Sequence, residues 1–214
     1  MYGDADPEVL LIQPAGKHSL PELEKEADYL QKHAEKRFRL AAFVTEDWNR
    51  ELSPWEAPAV WDDAPFGSGA GETLRFLLEE FLPALEQDIR ADTKLCRILG
   101  GYSLAGLFSL WAAYETDAFS GIAAASPSVW FPGWMGHAES GRPKAEAIYL
   151  SLGKKEEKTR NPALAPVGDN IRALSELYRQ QDIPCELEWN DGNHFRDSGI
   201  RTAKGFCWAM SHIR

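Results

Sequence analysis

The chain has 214 residues, 44% of them hydrophobic and 26% charged, a balance that fits a globular protein of about one domain and excludes a disordered chain. A formal net charge of −10 argues against nucleic acid, whose phosphates need a basic face, and disfavours highly anionic substrates. No apolar run approaches the roughly 18 residues of a membrane span and no basic-then-apolar leader opens the sequence, so no membrane partner is expected and the expected location is the cytoplasm.

In chain order the pattern alternates strand and helix, which gives a parallel sheet covered on both faces. Val9–Ile12 reads as a strand closed by Gln13-Pro14-Ala15-Gly16, and Leu20–Glu35 as an amphipathic helix with Leu23, Ala27 and Leu30 on one side. Arg39–Val44 is the next strand, followed from Thr45 to Gly71 by a long connection without period, a length of loop that in a compact domain is usually functional. Glu72–Arg90 is a helix with Leu74, Leu77, Leu78, Phe81, Leu82 and Leu85 at helical spacing and a kink expected at Pro83. Cys96–Leu99 is a short strand that two glycines stop at once. Beyond it Leu104, Leu107, Phe108, Trp111 and Ala112 recur at the spacing of one apolar helix face. Strands Gly121–Ala125 and Ala147–Leu152, a helix Gly168–Gln180, a strand Cys185–Trp189 and a final helix Ile200–Met210 complete the pattern. There is no repeat and no sign of a second domain. Cys96, Cys185 and Cys207 lie far apart and read as reduced core thiols.

The segment Leu99-Gly100-Gly101-Tyr102-Ser103-Leu104-Ala105-Gly106 joins a strand to an apolar helix, the context in which a serine on a sharp turn acts as a nucleophile. The strained backbone of such a turn needs small residues two before and two after, here Gly101 and Ala105, and it aims the Leu104 N–H at a developing oxyanion. The competing reading is an ordinary strand-to-helix turn with Ser103 as helix cap. Two later features favour chemistry. Strand Ala147–Leu152 ends in Gly153-Lys154-Lys155-Glu156-Glu157, and strand Cys185–Trp189 ends in Asn190-Asp191-Gly192-Asn193-His194-Phe195. Nucleophile, acid and histidine in that order is the chain order of an α/β-hydrolase. His33, His137 and His212 have no partner at metal spacing, and no phosphate-binding glycine fingerprint occurs, so neither metal nor cofactor is expected.

Phe81-Leu82-Pro83, the turn at Ser103, Ala125-Ser126-Pro127-Ser128-Val129-Trp130 and Gly192-Asn193-His194-Phe195 together resemble the esterase D and enterochelin-esterase-like esterases of the α/β-hydrolase fold, from about residue 9 to the end. The resemblance implies a reduced α/β-hydrolase fold, a mainly parallel sheet of about six strands lacking the two antiparallel edge strands. That would leave the Val9–Ile12 strand near an edge, inviting a homodimer unless a loop or the N-terminal residues cover it. It implies a small-molecule ester as substrate, Ser103 as nucleophile and His194 as base. For the acid it favours Glu156, with Glu157 and Asp169 as alternatives. The second oxyanion donor falls to Ala15, Gly16 or Lys17, since Pro14 has no N–H; His18 reads as a surface residue. The tryptophans Trp48 and Trp55, with Trp61 shortly after, and Trp130 are expected near the strand ends, as pocket walls or as pins for the loops. The same residues would serve a thioesterase or acyltransferase, and a catalytically silent binding protein of this fold is the non-enzymatic rival.

Overall fold

Pleating sends alternate residues of each strand to opposite faces, and here both faces are apolar. In strand β2 (Val9–Ala15), Leu10 and Ile12 join the core on one side of the sheet while Val9 and Leu11 join the core on the other. The computed structural model describes residues 1–17, 19–60, 63–87, 89 and 95–214. Its strands are β1 (Tyr2–Gly3), β2, β3 (Phe38–Val44), β4 (Cys96–Tyr102), β5 (Gly121–Ala125), β6 (Ala147–Gly153) and β7 (Cys185–Asn190), in the order β1-β3-β2-β4-β5-β6-β7. All neighbours are parallel except β1 against β3.

The six parallel strands agree with the number read from sequence, and β1 adds a seventh. Tyr2 and Gly3 pair antiparallel with Leu40 and Arg39, and the Arg39 guanidinium donates to the Asp4 and Ala5 carbonyls. The N-terminal residues thus cover β3, and β2 lies between β3 and β4. Val9–Ile12 therefore presents no free strand edge to a second chain, contrary to the expectation from sequence.

Helices α1 (Leu20–His33) and α8 (Ser198–His212) cover one face; α5 (Leu104–Glu115) and α7 (Val167–Gln180) cover the other. The expected single stripe on α5 is exceeded, because every residue from Leu104 to Ala113 is buried. The connection after β3 is less bare than its sequence implies. It holds a short helix α2 (Trp48–Glu51), whose first turn is capped by the Asp47 carboxylate accepting from Arg50 N at 3.1 Å, and an antiparallel bridge between Ala57 and Phe66. The expected helix Glu72–Arg90 is α3 (Ala70–Phe76), a π-helical turn Leu77–Phe81 and α4 (Leu82–Glu86); Arg90 lies outside the described residues. Pro83 cannot donate to the ladder, and the wider turn just ahead of it takes the place of a simple kink. Helix α6 (Trp134–Glu139) was too short to show as a period. No helix among the described residues is long and apolar enough to cross a membrane.

The register brings the carboxyl ends of β4 to β7 to one rim: Tyr102 lies opposite Ala125, and Gly153 opposite Asn190. The residues just beyond those ends make up the site.

Candidate active site

Ser103 follows β4 with φ 61 and ψ −119, a conformation L-residues avoid, held because its N–H donates to Ala125 O at 3.1 Å and its carbonyl accepts from Ser128 N at 3.1 Å. A Cβ on Gly101 would stand 2.5 Å from the Ala105 Cβ, so the turn accepts one methyl at these two positions and not two. The serine side chain is thereby lifted to the rim, where its Oγ meets His194 Nε2 at 3.0 Å and Ser128 Oγ at 3.4 Å.

His194 stands four residues beyond β7, and its Nδ1 lies 2.7 Å from Glu156 Oε2. Glu156 begins one turn of 3-10 helix after β6. Its other oxygen, Oε1, accepts from Ser126 Oγ at 2.8 Å, Gly153 N at 2.7 Å and Arg201 Nη1 at 3.1 Å. Burial pushes the Glu156 carboxyl up, but the hydrogen bond and charge of His194, with the Gly153 N–H and the Ser126 hydroxyl, outweigh it and hold the group below its ordinary range. Gly153 leaves the space this requires, since a Cβ there would lie 2.7 Å from both Glu156 Oε1 and Gly192 O. Burial raises the Tyr102 phenol to about 12, so its hydroxyl stays protonated and donates to His194 O at 2.7 Å.

Of the residues singled out in the sequence, Ser103, His194 and Glu156 meet in one chain of hydrogen bonds. Glu157 turns away to Arg172 at 2.5 Å, and Asp169 is exposed and also contacts Arg172, at 3.4 Å. The Leu104 N–H opens α5 beside Ser103. The strand separates Ala15 from Gly16. The Ala15 carbonyl accepts from Thr45 N at 3.0 Å, on the β3 side, and across a trans peptide the Gly16 N–H points the other way, away from β3. That N–H donates to Ser19 Oγ at 3.0 Å. His18 and Trp61 lie outside the described residues.

Two clefts flank the serine. One, of about 390 Å³, is lined by His194, Trp130, Phe195, Asn161 and Leu164; the other, of about 290 Å³, by Ser103, Trp48, Ser19, Glu22 and Glu26. Trp48 lines the cleft of Ser103 and Trp130 the cleft of His194, while the Trp55 indole N–H donates to Pro132 O at 2.7 Å and its ring packs on Phe131 and His137, pinning the loop. A wider surface depression of about 1080 Å³ between residues 46–50, 56–58 and 64–67 contains none of Ser103, Glu156 or His194. No group of His, Cys, Asp and Glu among the described residues is arranged to hold a metal ion.

Sequence reasoning missed Arg201. It lies on α8 with its side chain 2% exposed, bonded to Glu156 and to the loop that carries His194. The available signal was a charged residue on the buried stripe of a helix, four and eight residues before Gly205 and Ala209.

A family model described as "Putative esterase" matches residues 15–197. No curated protein matches the chain in sequence. Among solved structures it is similar to the siderophore hydrolase EstB from Aspergillus nidulans (TM-score 0.74, 19% identity, covering 94% of this chain and 82% of that one). An IroE-like serine hydrolase from Shewanella oneidensis gives TM-score 0.76 at 16% identity, over 96% of this chain and 71% of that one. The enterobactin esterase FES from Shigella flexneri gives 0.64 at 14%, over 97% and 54%. At such identities the likeness is one of fold.

Proposed function

The chain belongs to this esterase family, and from that premise we propose that it hydrolyses a carboxylic ester through an acyl-enzyme on Ser103, with His194 as general base and Glu156 as the carboxylate that orients it. The observation that carries the reading is the unbroken line from Glu156 Oε2 through the His194 ring to Ser103 Oγ, at 2.7 and 3.0 Å. Both spacings lie within reach of proton transfer.

In the first half-reaction His194 Nε2 takes the Ser103 proton as Oγ attacks the ester carbonyl. Glu156 keeps the Nδ1 proton in place and balances the imidazolium that forms. The Leu104 N–H stabilises the oxyanion, and the Gly16 N–H joins it once the carbonyl oxygen replaces Ser19 Oγ as acceptor. The imidazolium returns its proton to the leaving alcohol, which places the alcohol in the cleft that His194 and Trp130 line; the acyl part rests in the cleft of Ser103 and Trp48. Water then repeats the sequence to release the acid.

A fluorophosphonate probe followed by peptide mass analysis tests this reading. The label is expected on Ser103, and Ser103→Ala is expected to lose both the label and about 10⁵-fold or more in kcat on an activated ester, with its fold unchanged. Turnover close to wild type in that variant removes Ser103 from the mechanism.

A further inference from the structure

We propose that Arg201 is a positioning residue for this reaction, one buried guanidinium that fixes the acid and the backbone of the histidine loop in a single relation. The proposal rests on the reading of Ser103, His194 and Glu156 given above. Nη1 donates to Glu156 Oε1 at 3.1 Å, to Tyr102 Oη at 3.0 Å and to Ser126 Oγ at 3.3 Å. Nη2 donates to the carbonyls of Asp191 at 3.0 Å and Asn193 at 3.1 Å, the second of these next to His194. Tyr102 carries the contact onward, its hydroxyl donating to the His194 carbonyl at 2.7 Å.

A buried charge costs several kcal/mol unless its partners are arranged around it, so this one is held in place by what it holds. The planar fork suits the task. It presents donors in fixed directions, one nitrogen toward the acid and the other toward the loop, where the single ammonium of a lysine is a point charge. Helix α8, packed across β4, β5 and β6 and against α1, supplies a stiff base.

Two consequences for the chemistry follow. Glu156 Oε1 is filled by Ser126, Gly153 and Arg201, which leaves Oε2, among the described residues, to His194 and fixes the plane of the carboxylate. The guanidinium charge also lessens the pull of Glu156 on the imidazolium. The titratable groups facing Arg201 are Glu156 after β6 and Tyr102 at the end of β4, with His194 reached through both; Ser126 is its neighbour after β5. Glu22 of α1 engages Ser198 and Gly199 one turn away.

The test measures kcat, KM and the pH profile of kcat/KM on one activated ester for Arg201→Lys and Arg201→Met, with thermal unfolding alongside. The lysine variant keeps the charge and loses the fork: kcat is expected to fall about 10²-fold, with KM within about threefold and the acid limb of the profile unmoved. In the methionine variant kcat falls at least as far and the acid limb moves to higher pH, because a carboxylate relieved of its neighbouring cation holds the imidazolium more tightly. Should the methionine variant not fold, the lysine variant decides alone. Folded variants with wild-type kcat, or with a loss confined to KM, overturn the proposal. Wild-type activity that survives Ser103→Ala would instead sink the reading beneath it, and the two failures are told apart by that separate variant.

Discussion

On one side of Ser103, at the ends of β6 and β7, both oxygens of Glu156 have partners and a guanidinium ties the loop to the helix behind it. On the other side, between β2 and α1, the buried Glu26 accepts from Gln13 Nε2 at 2.7 Å through Oε2 while its Oε1 has no partner among the described residues, and the Gly16 N–H is taken up by Ser19. The first region is locked before any substrate arrives, the second is left to be completed. Fixed geometry serves proton transfer, where a small displacement costs rate; unfilled capacity serves a wall against which different groups can rest. Changes in the locked region should therefore act on turnover, and changes in the open one on stability and selectivity.

The sharpest way to break this contrast is the acid. Glu156→Gln is expected to lower kcat by about 10⁴-fold, because an amide can present a donor to His194 Nδ1 and favour the wrong tautomer. Glu157→Gln should behave nearly as wild type, since Glu157 serves Arg172 instead. Steady-state kinetics of the pair on one ester checks both; equal effects would show that the locked region is not centred on Glu156.

A smaller effect is expected at the boundary between the two regions. Ser19→Ala removes the hydroxyl that competes for the Gly16 N–H, and kcat/KM on a small activated ester should rise about two- to fivefold. A fall instead would mean that the Ser19 hydroxyl helps to hold substrate.

The open region has a pH signature of its own. Burial, offset in part by Gln13 and reinforced by the charge of Glu22, raises the Glu26 carboxyl to about 8. Between the ordinary carboxylate range and that value the unfolded chain is ionised here and the folded one is not, so unfolding releases a proton. Stability therefore falls as pH rises toward 8 and levels off above it. Glu26→Gln should remove this slope: little change in Tm at pH 5, and a gain on the order of 5 °C at pH 8.5, with activity altered far less than in Glu156→Gln.

The same contrast governs what was legible in the sequence. Ser103 and the loop of His194 could be read because backbone constraint writes itself into neighbours: Gly101 and Ala105 flank the turn, and Gly192, with φ 104, bends the other loop. Glu156 and Glu157 could be separated only by preference, for one residue of rotation within a single helical turn sends one carboxylate to His194 and the other to Arg172. Arg201 was hidden because its partners are mostly carbonyls and hydroxyls of distant segments, which leave no local pattern. Strand β1, with two residues, is shorter than any period can reveal. The two faces of the loop tryptophans were equally open: Trp48 stands in the cleft and Trp55 is tied to Pro132, a difference set by where the chain after β5 passes.

The flanks of the sheet carry a further consequence. A parallel sheet left bare at either side is a template on which other chains can grow strand by strand. At one flank Tyr2–Gly3 runs against the direction of every other strand and is only two residues long, with Arg39 clasped over the chain that follows it, so an incoming segment finds almost no ladder to extend. At the other, β7 bears the exposed Glu186, and Glu188 two residues on is ion-paired with Lys204 of α8, so a segment stacking there would meet charged side chains. The architecture that gathers chemistry at the carboxyl rim is thus closed at its sides against cross-β growth, by brevity at one flank and by charge at the other.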